Sequence, residues 1–176
     1  MKLIPIMFLL LLSLAAVAAH AQPQPVGFSV VTFEERFTIQ GCDPYRGRGM
    51  LGFVMYANGA FEMETEAGTF AGSLRPLDRD PRAFRLRFDD ASLSLYALYL
   101  QAGANALCDT EVHVSGGEIR SALLRITRGG TLSLKLSTTA ETSSAIGSVR
   151  GRHRLSGTGS VMPFPDSQPI APETDI

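Results

Sequence analysis

Leu132, Leu134 and Leu136 alternate with Ser133, Lys135 and Ser137. A repeat of two puts the two sets on opposite faces of an extended strand, and a helix cannot segregate them. The same period recurs at Val31, Phe33, Phe37 and Ile39 against Thr32, Glu34, Arg36, Thr38 and Gln40. It returns at Phe61 and Met63 against Glu62, Glu64 and Glu66, and at Phe84, Leu86 and Phe88 against Arg85 and Arg87. Glu35 alone breaks the apolar register of its segment, which reads as a bend or an edge. Met50 to Ala57 is apolar on both parities, as in a strand covered on both faces, and Asn58-Gly59 supplies a tight turn after it.

Further along, Gly68 turns the chain into a strand over Thr69 to Arg75, and Pro76 to Pro81 reads as a loop. Asp89-Asp90 can cap a helix over about 90–107, where Leu93, Tyr96, Ala97, Leu100, Ala104 and Leu107 recur at three- and four-residue spacing. Beyond it, Glu111 to Ser115 reads as a strand, Gly116-Gly117 as a turn, and the phase shift near Ser121 as a β-bulge. Thr138 to Ser144 reads as a polar loop leading to a last strand, Val149 to Leu155. The expected fold is therefore mainly β. It is a single antiparallel meander of about eight strands with one helix, closed as a barrel or split into a sandwich, with closure favoured because it removes exposed edges. In shape this resembles small lipocalin-like barrels, although a chain without Trp lacks their Gly-x-Trp signature.

Lys2, the apolar run Leu3 to Ala19 and the Ala19-His20-Ala21 tripeptide read as a secretory signal over 1–21, cleaved before Gln22. The expected division is that leader, a β-rich body over 22–162 and a disordered, proline-containing tail over 163–176. No segment after the leader is long and apolar enough to span a membrane as a helix. Strands that are short on average, no aromatic girdle and no Trp speak against a membrane-spanning barrel too. Without Lys2, 15 basic and 17 acidic side chains remain, a balance that argues against non-specific nucleic-acid binding. Export is the expected localisation, to a bacterial periplasm or the extracellular space.

Cys42 and Cys108 are the two cysteines of a chain read as exported, which predicts a disulfide between them. No catalytic, cofactor-binding or metal-ligating constellation is read from the sequence. Gly47, Gly49 and Gly52 match the dinucleotide-binding GxGxxG pattern, but a strand follows instead of a helix, so the segment reads as a loop beside the disulfide. His113 and His153 are too few for a three-histidine metal centre. His113 falls on a polar face. His153 shares parity with Val149 and Leu155, which places its imidazole inside the barrel as a core group donating to a backbone carbonyl. Ser160 is not in a GxSxG elbow. Dispersed carboxylates could still form a hydrolase site without any local motif.

Arg150, Arg152 and Arg154 share one strand face, joined by Arg120, Arg125 and Lys135, and could receive an anionic partner. The leading functional expectation is a soluble, exported, non-catalytic binding protein without a cofactor, taking a small apolar ligand if the barrel is hollow. Its lining would come from Phe33, Phe37, Phe53, Met55, Phe61, Phe84 and Phe88. The second expectation is a cell-envelope structural or partner-binding protein that uses the arginine face to hold an acidic partner.

Overall fold

A computed structural model describes residues 23–108, 111–144 and 147–163. The expected leader and nearly all of the expected tail lie outside the described residues. Pro163, assigned to the tail by sequence, pairs with Gly27 in a short terminal strand.

The strands are β1 (Pro25–Ile39), β2 (Tyr45–Tyr56), β3 (Ala60–Thr65), β4 (Gly68–Leu77) and β5 (Asp80–Phe88), followed by helix α1 (Asp90–Leu107). Then come β6 (Val112–Ile126), β7 (Thr131–Ser144), β8 (Gly147–Ser160) and the two-residue β9 (Met162–Pro163). Each of β1 to β7 pairs antiparallel with the next, and β8 pairs back onto β1, so the meander closes into an eight-stranded barrel. Closure decides the barrel-or-sandwich alternative, and its shortest seam joins β5 to β6 through three residue pairs, Ala83 to Arg85 against Leu123 to Arg125.

Four segments differ from the sequence reading: Pro76 to Pro81 is mostly strand, with β4 running to Leu77 and β5 starting at Asp80, and in the other three small and polar residues continue a strand because their neighbours hold the ladder. Gly116 and Gly117 do not turn the chain. They sit inside β6 at a register irregularity, and a second irregularity between Ile119 and Ser121 matches the expected bulge. Thr138 to Ser144 is no loop, because β7 runs through it and pairs with both β6 and β8. β2 begins at Tyr45, so the GxGxxG look-alike lies within a strand. Only Leu51, Phe53 and Met55 of that strand are fully buried, while Met50 is 68% exposed, so one face is not covered.

The interior carries the apolar register. Val31, Phe53, Phe61, Leu124 and Leu132 are almost wholly buried, each worth about 1.5–3 kcal/mol of transfer free energy. The exterior carries charge all the way round, beside exposed apolar side chains at Val30, Met50 and Leu123. Every wall strand offers at least one exposed charge: Arg36, Arg48, Glu64, Arg75, Arg87, Arg125, Lys135 and Arg152 in strand order.

Helix α1 starts where Asp89 accepts the Ser92 N–H at 2.7 Å. Its buried stripe is Ser92, Tyr96, Leu100 and Ala104, a spacing of four that lays one edge of the helix over the barrel mouth. Ser92 anchors it, accepting the Ala71 N–H at 2.7 Å and donating to the Ala71 carbonyl at 3.1 Å. Gln101 anchors the other side through the Val112 carbonyl and the Val114 N–H, both at 2.7 Å. The Cys42–Cys108 disulfide then staples the C-terminal end of α1 to the β1–β2 connection across 66 positions. Closing such a loop disfavours the unfolded chain by about 4 kcal/mol in the entropic account. A disulfide also belongs to an oxidising setting, consistent with an exported or envelope protein.

Candidate functional site

Beneath α1 the barrel is not filled. A cavity of about 370 Å³ lies between the helix and the ends of β1, β2 and β3. Its existence follows from side-chain size on the helix. Ala102, Gly103 and Ala106 face it and occupy little of the space. Gly103 also sets how close the helix lies, since a Cβ there would stand 2.8 Å from the Phe37 ring. Phe33, Phe37, Met63, Phe70, Phe88 and Leu136 supply apolar walls, and Met50 and Tyr45 reach its exposed side.

One end of this apolar space is polar. Tyr96 Oη lies 2.6 Å from His153 Nδ1 and 2.8 Å from Thr138 Oγ1. His153 Nε2 lies 3.2 Å from Glu35 Oε2, and Tyr99 donates to the same carboxylate oxygen at 2.5 Å. The chain is satisfied when Thr138 donates to Tyr96, Tyr96 to Nδ1, and the Nε2–H to Glu35. Tyr45 adds a third phenol beside Glu35. Its hydroxyl occupies the space where a Cβ of Gly47 would be, so glycine at that position is what admits it.

Electrostatics follow from this arrangement. Hydrogen bonding from His153, then from Tyr99 and Tyr45, outweighs burial and holds the Glu35 carboxyl below its ordinary range, so it is ionised at neutral pH. Tyr96 and Tyr99 are pushed the other way, primarily by burial and, for Tyr99, by its hydrogen bond to the Glu35 carboxylate. Both phenols remain neutral donors. A fixed carboxylate that accepts from Tyr99 and His153 thus borders a mainly apolar space, which Arg48 and Glu66 also line, the arrangement expected of a ligand pocket.

His153 is inside, 1% exposed, but its partners are Tyr96 and Glu35 and not a backbone carbonyl. Glu35 is neither a bend nor an edge. It continues the inward register of β1, pairs in sequence with Gly47 and Leu155, and carries the polar end of the cavity. Of the seven expected lining residues, Phe33, Phe37 and Phe88 face the cavity. Phe53, Met55 and Phe61 are packed core, and Phe84 stands outside the lining. Tyr96, Tyr99 and Thr138 went unnoticed as functional candidates. Their signal was present in two tyrosines three apart on a helix and in a threonine that keeps the inward parity of Leu132 to Leu136.

Among the acids, Glu35 and Glu66 reach the cavity, and its one hydroxyl outside the tyrosines, Thr65, donates to the Gly68 carbonyl at 2.9 Å. Among the described residues no three His, Cys, Asp or Glu side chains are grouped to hold a metal ion. His113 is exposed. Arg150, Arg152 and Arg154 are exposed on the outer wall of β8, far from the interior register. Arg120 and Arg125 are committed to Glu118 and Asp80 at 3.1 and 3.0 Å.

The fold thus defines a class, the closed eight-stranded antiparallel barrel with an apolar interior and one helix across its mouth. No protein-family model matches the chain, and no curated protein matches it. Among solved structures, Ail, the attachment invasion locus protein of Yersinia pestis, is similar at 11% identity and a TM-score of 0.24 over 80% of this chain and all of that one. At that score the likeness carries no argument. Strand length does not distinguish the two settings of such a barrel, since β1, β2, β6, β7 and β8 run 12 to 15 residues. That corrects the expectation of short strands. The interior is lined by apolar side chains, and the wall carries charges together with exposed Val30, Met50 and Leu123.

Proposed function

We propose that this chain is an exported, water-soluble barrel that binds a small, mainly apolar ligand in the space between α1 and strands β1 to β3. The observation that carries the reading is the cavity of about 370 Å³ with the Glu35–His153 cluster at one end. Its size falls within the range of small-molecule sites, and its apolar walls with a few convergent polar groups are their usual chemistry. An ionised, nearly buried carboxylate accepts hydrogen bonds, so the ligand presents a donor such as a hydroxyl or amine at that end and hydrocarbon to the remainder. The charged exterior on every strand supports a barrel that faces water. The disulfide and the expected leader support export.

An apolar fluorescent amine such as N-phenyl-1-naphthylamine tests this. Saturable one-to-one binding is expected. Ala106→Phe, which fills the cavity from the helix without crossing the packed core, should weaken it by roughly tenfold or more while circular dichroism stays unchanged. Binding that never saturates, or that persists unchanged in a folded Ala106→Phe variant, rejects the reading.

A further inference from the structure

The outer wall holds a second arrangement, which adjoins the cavity at Glu35 and Arg48. In strict register, Arg46 of β2 stands opposite Arg36 of β1, and Arg36 stands opposite Arg154 of β8. Three arginines thus form a row across three neighbouring strands, all exposed. Adjacent strands lie about 4.8 Å apart, so the backbone positions of the three arginines repeat at roughly that interval. Like charges directly opposite one another disfavour the sheet. The acid in the adjoining row, Glu34, is held by Arg48 at 2.7 Å. Among the described residues Arg36, Arg46 and Arg154 have no ion-pair partner. Arg152 and Lys135 extend the same wall.

The row is not splayed over a convex surface. Arg36, Arg46, Arg48 and Arg154 line one groove of about 680 Å³ together with Glu34, Glu35, Gly47 and Ser156, so four guanidinium groups face two carboxylates there. The net charge of the whole chain is only −1, so this positive wall is local and is not a general basicity. Reading β8 alone singled out Arg150, Arg152 and Arg154 along one strand. The closed barrel shows that the denser array runs across strands, through Arg36 and Arg46.

We propose that this wall is a binding site for anionic polysaccharide, with sulfate or phosphate groups of an extended chain each taken by one guanidinium fork. The fork suits the planar, paired oxygens of such groups. The strand spacing is comparable with the length of one pyranose unit, so a chain lying across the strands meets one arginine per sugar. The disulfide favours an oxidising compartment, where acidic polysaccharide and not nucleic acid is the ordinary polyanion.

The test uses the intact protein and short dextran sulfate, with neutral dextran of equal length as blank, measured by titration calorimetry at low salt. The wild-type chain is expected to bind dextran sulfate and not dextran. The combined variant Arg36→Ser, Arg46→Ser, Arg154→Ser should lose affinity on the order of a hundredfold. A matched variant on β5, Arg82→Ser, Arg85→Ser, Arg87→Ser, removes the same charge from another wall and should lose less than about threefold. Naphthylamine binding in the cavity should survive in both, which also shows that both are folded. Equal losses in the two variants, no binding by the wild-type chain, or tighter binding of a DNA oligonucleotide than of dextran sulfate would each overturn the proposal.

Discussion

At the end of the barrel that holds Phe53, Met55 and Phe61 the interior is packed shut, with each of these side chains 2% exposed or less. At the end crossed by α1 the same inward register leaves about 370 Å³ unfilled and brings Glu35, His153 and Thr138 inside. The difference lies in which residues occupy equivalent positions. Toward the packed end β7 turns Leu132 and Leu134 inward, and toward the helix end it turns Thr138, Ala140 and Thr142 inward. The helix adds Ala102, Gly103 and Ala106, which cannot replace the lost volume. Alternation by itself decides what is inside; side-chain size and polarity along each strand decide whether the inside is core or site.

Truncation should separate the two ends most sharply. Phe53→Ala opens a void in close-packed surroundings and is expected to cost about 3–5 kcal/mol by urea denaturation. Phe33→Ala enlarges a space that already exists and should cost only about 1–2 kcal/mol. Equal costs would mean that the helix end is as tightly packed as the other. A smaller effect is expected at the polar chain: Tyr96→Phe leaves His153 and Thr138 without a shared partner and should cost about 1–3 kcal/mol. Loss of less than about half a kcal/mol there would show that the chain of hydrogen bonds contributes nothing to stability.

The dependence on pH is smaller still, and at the helix end it rests on Glu35, Tyr96 and Tyr99. Because the Glu35 carboxyl is lowered from an ordinary 4.5, its contribution is complete above that value and is lost as pH falls through its folded value. The gap in thermal midpoint between the wild-type chain and Glu35→Gln should therefore shrink on acidification below about pH 4.5. Tyr96 and Tyr99 are raised above 10.0, so their contribution is present up to that pH and is lost as pH rises beyond it. A gap that widens in acid would contradict the assignment of Glu35.

Much of this molecule was legible before any coordinates. The alternation at Leu132 to Leu136, the Asn58-Gly59 turn and the Asp89 cap specify strands, hairpin and helix locally, and closure followed from the need to satisfy edges. The disulfide followed from counting cysteines. The site was harder to read because its markers look like defects in those same patterns. Glu35 looked like an edge because a carboxylate inside a barrel is costly unless donors surround it, and the donors, Tyr99 and His153, come from segments 64 and 118 positions away. Thr138 to Ser144 looked like a loop because composition was weighed above parity. The arginine row could not be read at all from one strand, since register between β2, β1 and β8 is a property of the closed sheet.

Methionine placement offers the most direct measurement of the central claim, that one end of the interior is a site and the other a core. Met50 and Met63 line the cavity, whereas Met55 is buried in the packed end. With the methionine methyl groups isotopically labelled and the naphthylamine probe titrated in, the Met63 and Met50 resonances should shift in saturable fashion while Met55 moves little. A shift centred on Met55, or no saturable shift at Met63, would contradict the account.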